Sequence, residues 1–409
     1  MRAAPCFLTQ HAAWTLGPRT ARSLRRRESG STESLKSSYP PKPEAVASRA
    51  VVRGVMEDTP PTAHLAWLPF ASRRSVRALI CGTFSSIVHA KDASEQHVPV
   101  LTAEVLAHLE LPTAACVLDC TTGCGGHAAA ILADPEFTGI MIGLDVDASN
   151  LETARSRLAD HGERWTGRRA NFAEFDAVLD ERGIDHVDAI LADLGTSSNQ
   201  IDDPRRGFSF QADGPLDMRL DDRTSTTAAD LVNAMNETEL ADLIYQYSQE
   251  RLSRRIARGI CRARREQRIT TTLRLARVVC SSMGADPTSH RHGIHPATRT
   301  FLALRAAVNA EDDVLMQLLA KAPDRLAPGG RIAVISFHST EDRMVKSDFR
   351  RRRADGVYEV VTRKPITASP AERDANPRAR SAKMRVARRT DKSAETKRDP
   401  IADTKMEPR

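Results

Sequence analysis

The chain has 409 residues, which is enough for two domains and terminal tails. Its 60 Lys and Arg residues outnumber its 53 Asp and Glu residues, and the net charge of +7 favours an anionic macromolecular partner. Mean hydropathy is −0.40 and the longest apolar runs have the length of strands, so no transmembrane span and no membrane partner are predicted.

The seven cysteines form no C-x-x-C pair. Cys116, Cys120 and Cys124 recur at intervals of four, but a strand would point the first two to one face while the following loop turns Cys124 away. This spacing predicts reduced thiols in an intracellular compartment and no metal site.

Residues 1–90 differ in composition from the rest of the chain. The first 27 residues contain six arginines and no acidic residue, which is typical of a mitochondrial transit segment. A basic tail without a targeting role is the alternative, and either Met1 or Met56 can be the start. We expect a disordered leader and a location in the mitochondrial matrix, or otherwise in the cytoplasm.

A strand, a tight loop and a helix are predicted over 116–133. The apolar run Cys116–Leu118 ends in Asp119, and an alanine-rich helix begins at His127. Glycines let the backbone approach a ligand, and the helix start offers free N–H groups, so a nucleotide-like or carboxylate-bearing ligand is expected. The loop glycines are Gly123, Gly125 and Gly126.

The next predicted strand, 140–144, ends in Asp145, where nucleotide-binding α/β folds place an acid on the ribose hydroxyls. A third strand near 167–171 is followed by Phe172, which either stacks on an adenine or belongs to the core. The loop also satisfies the dinucleotide fingerprint, so it leaves a nicotinamide cofactor and S-adenosylmethionine as alternatives. A Tyr-x-x-x-Lys pair, which would favour an oxidoreductase, is absent from the sequence.

A fourth strand, 189–192, delivers the polar segment from Asp193 to Gln200 at its carboxyl end, where open α/β sheets place their chemistry. Methylation of an exocyclic amine requires the nitrogen lone pair to point at the methyl group. A carboxylate such as Asp193 can accept an N–H and orient the nitrogen. Asp193 is therefore the leading catalytic candidate.

Residues 206–292 interrupt the alternation of strands and helices and predict a helical domain inserted into a sheet domain of 91–205 and 293–390. One long helix is predicted over 237–265, and eight arginines lie between Arg251 and Arg268. Arginine makes bidentate phosphate contacts, so nucleic-acid binding and an ordinary solvated helix face both remain open.

The sheet domain resumes with a helix that residues 295–301 open and that runs through 308, a second helix over 313–321, a turn at 327–330 and a strand over 331–335. A polar tail, 391–409, is predicted to be disordered.

Several motifs in one order resemble the bacterial 16S ribosomal RNA cytidine-N4 methyltransferases of the MraW/RsmH family, over about Val98 to Arg389. The basic leader makes the chain similar to mitochondrial members. The motifs are Gly-x-Gly-Gly-His (123–127), Asp-Leu-Gly-x-Ser-Ser (193–198), Arg-Gly-Phe-Ser-Phe (206–210), Asp-Gly-Pro-Leu-Asp-Met-Arg (213–219), His-Pro-Ala-Thr-Arg-Thr-Phe (295–301), Ser-Phe-His-Ser (336–339) and Asn-Pro-Arg-Ala-Arg-Ser (376–381).

The resemblance implies a Rossmann-like α/β sheet of the class I S-adenosylmethionine-dependent methyltransferases, with an inserted, mainly helical domain. It implies N4-methylation of a cytidine in small-subunit ribosomal RNA, here of the mitochondrial 12S type, with that RNA or the assembling subunit as partner. The oligomeric state stays open, with a homodimer as one alternative. The implied S-adenosylmethionine-binding residues are Gly123, Gly125, Gly126, His127, Asp145, Phe172, Asp193 and Gln200.

His338 and Arg299 are secondary catalytic candidates beside Asp193. Cys120 and Thr122 depart from the family pattern, which usually has a glycine and a bulky apolar residue at these positions. The rival hypothesis is therefore an RNA-binding ribosome-assembly factor with weak or no turnover.

Overall fold

The computed structural model describes residues 99–112, 115–286 and 295–391. The predicted leader and all but the first residue of the predicted tail lie outside these ranges, so both remain predictions.

A seven-stranded sheet has the order β3-β2-β1-β4-β5-β7-β6. The first five strands of this order run parallel, whereas β7 is antiparallel to both β5 and β6. The predicted Rossmann-like α/β class is confirmed. The strands are β1 (Cys116–Asp119), β2 (Ile140–Asp145), β3 (Trp165–Arg169), β4 (Val187–Asp193), β5 (Leu326–Ser336), β6 (Tyr358–Val360) and β7 (Lys383–Arg389).

Helices cover both faces of the sheet, which explains why the central strands are continuous apolar runs. Successive residues of β1 enter different cores: Val117 belongs to one hydrophobic cluster and Leu118 to another. The helices outside the inserted segment are α1 (Thr102–Leu109), α2 (Gly126–Leu132), α3 (Ala148–Arg157), α4 (Phe175–Asp180), α5 (Ser198–Asp202), α10 (Thr298–Val308), α11 (Glu311–Arg325), α12 (Ser339–Ala354) and α13 (Pro370–Ala375).

Four further helices lie between β4 and β5 in the chain and form a third hydrophobic cluster. Phe301 and Leu304 of α10 belong to the same cluster, so the inserted helices pack on an element of the sheet domain. The inserted helices are α6 (Ala228–Ala234), α7 (Glu237–Ser248), α8 (Ser253–Glu266) and α9 (Thr272–Met283).

The prediction of one helix over 237–265 is wrong. The chain leaves α7 at Gln249, whose φ of 54° is left-handed, and the Glu250 carboxylate accepts the N–H of Leu252 at 2.9 Å before α8 begins. This break lets Ile244 and Ile256 pack in the same hydrophobic cluster. A straight helix of this length would lose part of that apolar burial.

The turn predicted at 327–330 is instead a bulge inside β5. Val187 of β4 pairs with Leu326 while Ala189 pairs with Arg331, so four residues of β5 oppose one of β4. Gly329, with a φ of 79°, supplies the left-handed conformation that the bulge needs. No helix within the described ranges is long and apolar enough to cross a bilayer.

The chain order reverses its direction across the sheet between β1 and β4. β2 and β3 extend to one side of β1, and β4 and β5 extend to the other. Ligands of open α/β sheets bind at such a switch point, outside the carboxyl ends of the strands.

Candidate active site

A cleft of about 560 Å³ opens at this switch point, beside the carboxyl ends of the parallel strands. It gathers most of the predicted site residues although they are far apart in the sequence. The predicted residues that line the cleft are Gly123, Gly126, His127, Asp145, Phe172, Asp193 and Gln200.

Gly125 does not line the cleft but shapes the loop that does. Its φ of 78° is left-handed, and a Cβ there would lie 3.3 Å from the Cα of Ala154 in α3. A side chain at Gly126 would meet the ring of Pro99 at 3.0 Å. The glycines thus let the loop pack closely on its neighbours and expose its backbone to the cleft.

Asp145 links β2 to the glycine loop. Its Oδ2 accepts the N–H of Gly123 at 2.9 Å and an amide N–H of Asn150 at 3.2 Å, and its Oδ1 accepts the N–H of Asp147 at 2.8 Å. Burial raises the pKa of Asp145 to about 6, although these hydrogen bonds act in the opposite direction and lower the pKa. This carboxylate lies at the end of β2, where ribose hydroxyls are bound in related folds, and its role toward a ribose stays a prediction.

Phe172 both lines the cleft and packs against a hydrophobic cluster, so the two sequence-based alternatives for it are compatible. It lies in a short 3₁₀ turn that follows β3, next to the side of the cleft that Asp145 occupies. The aromatic ring offers an apolar wall at the same end of the cleft as Asp145.

The side chain of Gln200 is hydrogen-bonded to the carboxylate of Asp147. The Gln200 side chain donates from Nε2 to Asp147 Oδ2 at 2.8 Å, and Arg206 Nη1 donates to the same oxygen at 2.6 Å. Burial opposes the charge, but the hydrogen bonds from Gln200, Ser149 and Arg206 hold the pKa of Asp147 below its usual value. Arg206 was not predicted as a site residue; it also donates to the carbonyls of 219 and 220, in the inserted segment.

Asp193 ends β4 in the middle of the cleft. Its N–H is bonded to the Thr121 hydroxyl at 2.6 Å, and its Oδ2 lies 3.4 Å from His127 Nε2. Its other oxygen, Oδ1, is buried and has no hydrogen-bond partner among the described residues. A fixed carboxylate with one unused acceptor oxygen is suited to receive an N–H from a ligand.

Asp119, at the end of β1, is a further buried acid that sequence reasoning passed over. It is 1% exposed, its Oδ1 accepts the N–H of Thr121 at 3.1 Å, and its Oδ2 has no partner within the described ranges. Burial raises its pKa to about 6, with His127 acting in the opposite direction. Its position directly before the glycine loop was the signal that could have identified it.

The secondary catalytic candidates lie elsewhere. Arg299 is 55% exposed and lies 3.4 Å from Glu250, and His338 caps α12 with Nε2 3.0 Å from Glu341. Neither belongs to the cleft lining in the described part of the chain. Their catalytic role stays a prediction to which this geometry adds no support.

Glu311, His338 and Glu341 each place a potential metal ligand within 4.8 Å of the others. Arg305 holds Glu311 through two hydrogen bonds of 2.7 and 2.9 Å, and Glu341 accepts the N–H of Phe337 at 2.9 Å. These carboxylates already accept from protein donors, so the group is explained as a structural network.

Together, the glycine loop and the carboxylates of Asp145 and Asp193, which line the cleft, fit S-adenosylmethionine, which carries a ribose and two cationic groups. Carboxylates beside a pocket suit a cationic ligand because opposite charges offset the cost of burying them. The strand order with its reversed β7, combined with this cleft, defines a class I methyltransferase that uses S-adenosylmethionine.

Comparison with known proteins gives the family. A family model described as the MraW methylase family matches residues 94–390, and the chain belongs to this family. "Ribosomal RNA small subunit methyltransferase H" from Sorangium cellulosum is 50% identical over 295 residues, covering 72% of this chain and 91% of that protein. The protein of the same name from Acidobacterium capsulatum is 48% identical over 297 residues, covering 72% and 98%.

Proposed function

We propose that the protein methylates the N4 amine of a cytidine in small-subunit ribosomal RNA. The observation that carries the proposal is the position of Asp193, which lines the methyltransferase cleft and whose buried Oδ1 has no hydrogen-bond partner among the described residues. An acceptor there suits a substrate atom that bears an N–H.

Bound S-adenosylmethionine supplies an electrophilic methyl group on its sulfonium, so the chain has mainly to position the amine. Asp193 Oδ1 accepts one N–H of the amine and thereby turns the nitrogen lone pair toward the methyl group. As the N–CH₃ bond forms, the bond between the methyl group and the sulfonium sulfur would break, leaving a neutral thioether, and the same carboxylate oxygen would take the proton that the nitrogen loses. His127 Nε2 lies 3.4 Å from the other oxygen of this carboxylate.

Two observations support RNA as the substrate. The relatives are named for the small-subunit ribosomal RNA, and α8 presents an arginine face to solvent. Buried residues such as Ile256 and Ile260 occupy the opposite side of this helix. The five arginines of this face are Arg254, Arg255, Arg258, Arg262 and Arg265.

The basic leader supports a location in the mitochondrial matrix, where the substrate would be the 12S-type RNA of the mitochondrial small subunit. Imaging of the full chain with a C-terminal fluorescent tag, beside a chain without its first 55 residues, tests this location. Matrix signal that depends on the leader is expected, and diffuse cytoplasmic signal from the full chain would contradict it.

Mass spectrometry of nucleosides from small-subunit RNA tests the reaction. Cells without this protein should lose N4-methylcytidine, and the wild-type chain should restore it. Asp193→Asn, which keeps the side-chain shape but removes the basic oxygen, should not restore it although its melting temperature is preserved. Full restoration by Asp193→Asn would remove Asp193 from the catalytic role.

An assembly factor without turnover is the second candidate. It is favoured by Cys120 and Thr122, which depart from the family pattern and line the cleft. An unchanged level of N4-methylcytidine in cells without the protein, together with impaired subunit assembly, would support this candidate instead.

A further inference from the structure

The short 3₁₀ helix Pro377–Ser381 belongs to a motif to which the proposed reaction assigns no task. A 3₁₀ helix has three residues per turn, so residues three apart lie on the same side. Ala379 and Ala382 are buried in the hydrophobic core, whereas Arg378 and Ser381 both line the cleft. The alternation of faces thus aims one guanidinium and one hydroxyl at the active site.

The segment holds Arg378 firmly in this position. Asn376 Oδ1 accepts the N–H of Arg378 at 3.2 Å, and β7 begins at Lys383, directly after the buried Ala382. Strand β7 is then paired along its length with β5. An anchored backbone reduces the conformational entropy that the side chain loses when it binds a ligand.

The guanidinium of Arg378 has donor capacity that the described residues do not use. The guanidinium contacts the carboxylate of Asp202, which lies 3.4 Å from Nη2 and is 71% exposed, so the contact is long and solvent-screened. Nη1 is buried and has no hydrogen-bond partner in the part of the chain that the structure describes. An arginine with free donors beside a cleft is suited to a planar or tetrahedral oxyanion.

The position of Arg378 along the cleft separates it from the ribose-binding end. Asp145 and Phe172 follow β2 and β3, on one side of β1, whereas Arg378 and Ser381 precede β7, on the far side of β4 and β5. Asp193 follows β4 and lies between the two ends. A substrate whose amine reaches Asp193 from the β7 side would bring its own backbone past Arg378.

We propose that Arg378 and Ser381 form a subsite for a backbone phosphate of the nucleic-acid strand that carries the methylated nucleotide. The proposal rests on the proposed function, because it assumes that the substrate is RNA. The guanidinium donates to the phosphate oxygens and the Ser381 hydroxyl adds a further donor. The phosphate is thereby fixed at one end of the cleft and the base is directed toward Asp193.

The cofactor's carboxylate is the competing ligand for Arg378, since it is also an oxyanion. The place of Arg378 away from the ribose-binding end favours the phosphate. The experiment therefore measures RNA binding and cofactor binding separately, with Arg380→Gln as the matched control because Arg380 lies in the same short helix, is exposed and does not line the cleft.

The full chain and its variants are titrated with an in vitro transcript of the small-subunit RNA at several salt concentrations, and calorimetry gives the affinity for S-adenosylmethionine. Arg378→Gln should weaken RNA binding about tenfold and reduce the salt slope by about 0.7, the value of one lost phosphate contact on a single strand. Arg378→Lys should retain the salt slope. Arg380→Gln should change affinity less than about twofold, and cofactor affinity should stay constant throughout.

If the Arg378→Gln variant binds RNA with the same affinity and salt slope as the wild-type chain, the proposal is overturned. Loss of cofactor affinity with unchanged RNA binding would assign Arg378 to the cofactor's carboxylate instead. Saturable binding of inorganic phosphate that Arg378→Gln abolishes, with RNA binding intact, would assign the subsite to free phosphate and also overturn it. Failure of the wild-type chain to bind or methylate the transcript would refute the proposed function itself, a result distinct from any difference between variants.

Discussion

His127 Nε2 lies 3.4 Å from Asp193 Oδ2, and both side chains are largely enclosed, at 6% and 18% exposure. His127 comes from the start of α2 and Asp193 from the end of β4, so the pair joins the glycine loop to the strand that carries the leading catalytic candidate. The contact involves only Oδ2, and Asp193 Oδ1 is buried without a hydrogen-bond partner among the described residues.

Replacing His127 by Gln should lower kcat for methyl transfer about tenfold, because Asp193 loses the group that orients it. Affinity for S-adenosylmethionine should change less than about threefold, since the backbone of the loop is kept. Steady-state kinetics and calorimetry measure the two effects. His186→Gln is the control, because His186 is exposed and lies directly before the first residue of β4, at the end of the strand away from Asp193. Lost cofactor binding with a normal kcat would instead make His127 a cofactor contact.

Asp119 makes the stability of the ligand-free protein depend on pH. Its pKa is raised from 3.8 to about 6, so between these values the native protein keeps a proton that the unfolded chain has released. Stability therefore falls as the pH rises through this window, and the full cost is present above pH 6.

Asp119→Asn should remove this cost. The free energy of unfolding at pH 7.5 should rise by about 1–3 kcal/mol, with a much smaller change at pH 4.5. Thermal unfolding at the two pH values provides the measurement. A gain of equal size at both would show that the charge of Asp119 is not the cause.

Arg206 ties the cofactor site to the inserted segment through Asp147 and the carbonyls of 219 and 220. Arg206→Gln leaves the buried Asp147 carboxylate without its cationic partner, so cofactor affinity should weaken about tenfold and the melting temperature should fall. Arg205→Gln is the adjacent control: Arg205 is 87% exposed and pairs with Asp203. Similar losses in both variants would argue against a specific role of Arg206.

The arginine face of α8 should contribute to RNA affinity through phosphate contacts. Changing both Arg255 and Arg262 to Gln should reduce the salt slope of RNA binding by about 1.4 while cofactor affinity stays unchanged. A filter-binding titration at several salt concentrations checks this. Arg155 and Arg182, exposed arginines of the sheet domain, supply the control pair. An unaltered slope would identify the face of α8 as an ordinary solvated surface.

Much of the site was predictable because its signals are local. Glycines at 123, 125 and 126, an acid at the end of β2 and a polar segment after β4 each follow a buried strand. Carboxyl ends of parallel strands meet at one edge of a sheet, so their convergence follows from the alternation of strands and helices alone. The grouping of these residues at one cleft was therefore predictable before their distances were known.

The contacts between distant segments were decided by the tertiary structure. Gln200 lines the cleft and donates to Asp147, and Arg206 reaches the same carboxylate from a turn beyond α5. Likewise, the break at Gln249 divides a helical pattern that looked continuous, because packing both halves on one core outweighs local helix propensity.

By itself, the sequence determined the class of sheet, the glycine loop, the acids that follow β2 and β4 and the family resemblance, since these depend on residue type and short spacing. Only the tertiary structure decided that Asp119 is buried without a partner for Oδ2, that Arg299 lies outside the cleft and that Arg378 lies at its edge. Burial and side-chain direction depend on which elements pack together, and that packing joins residues too far apart in the chain for any local pattern to relate them.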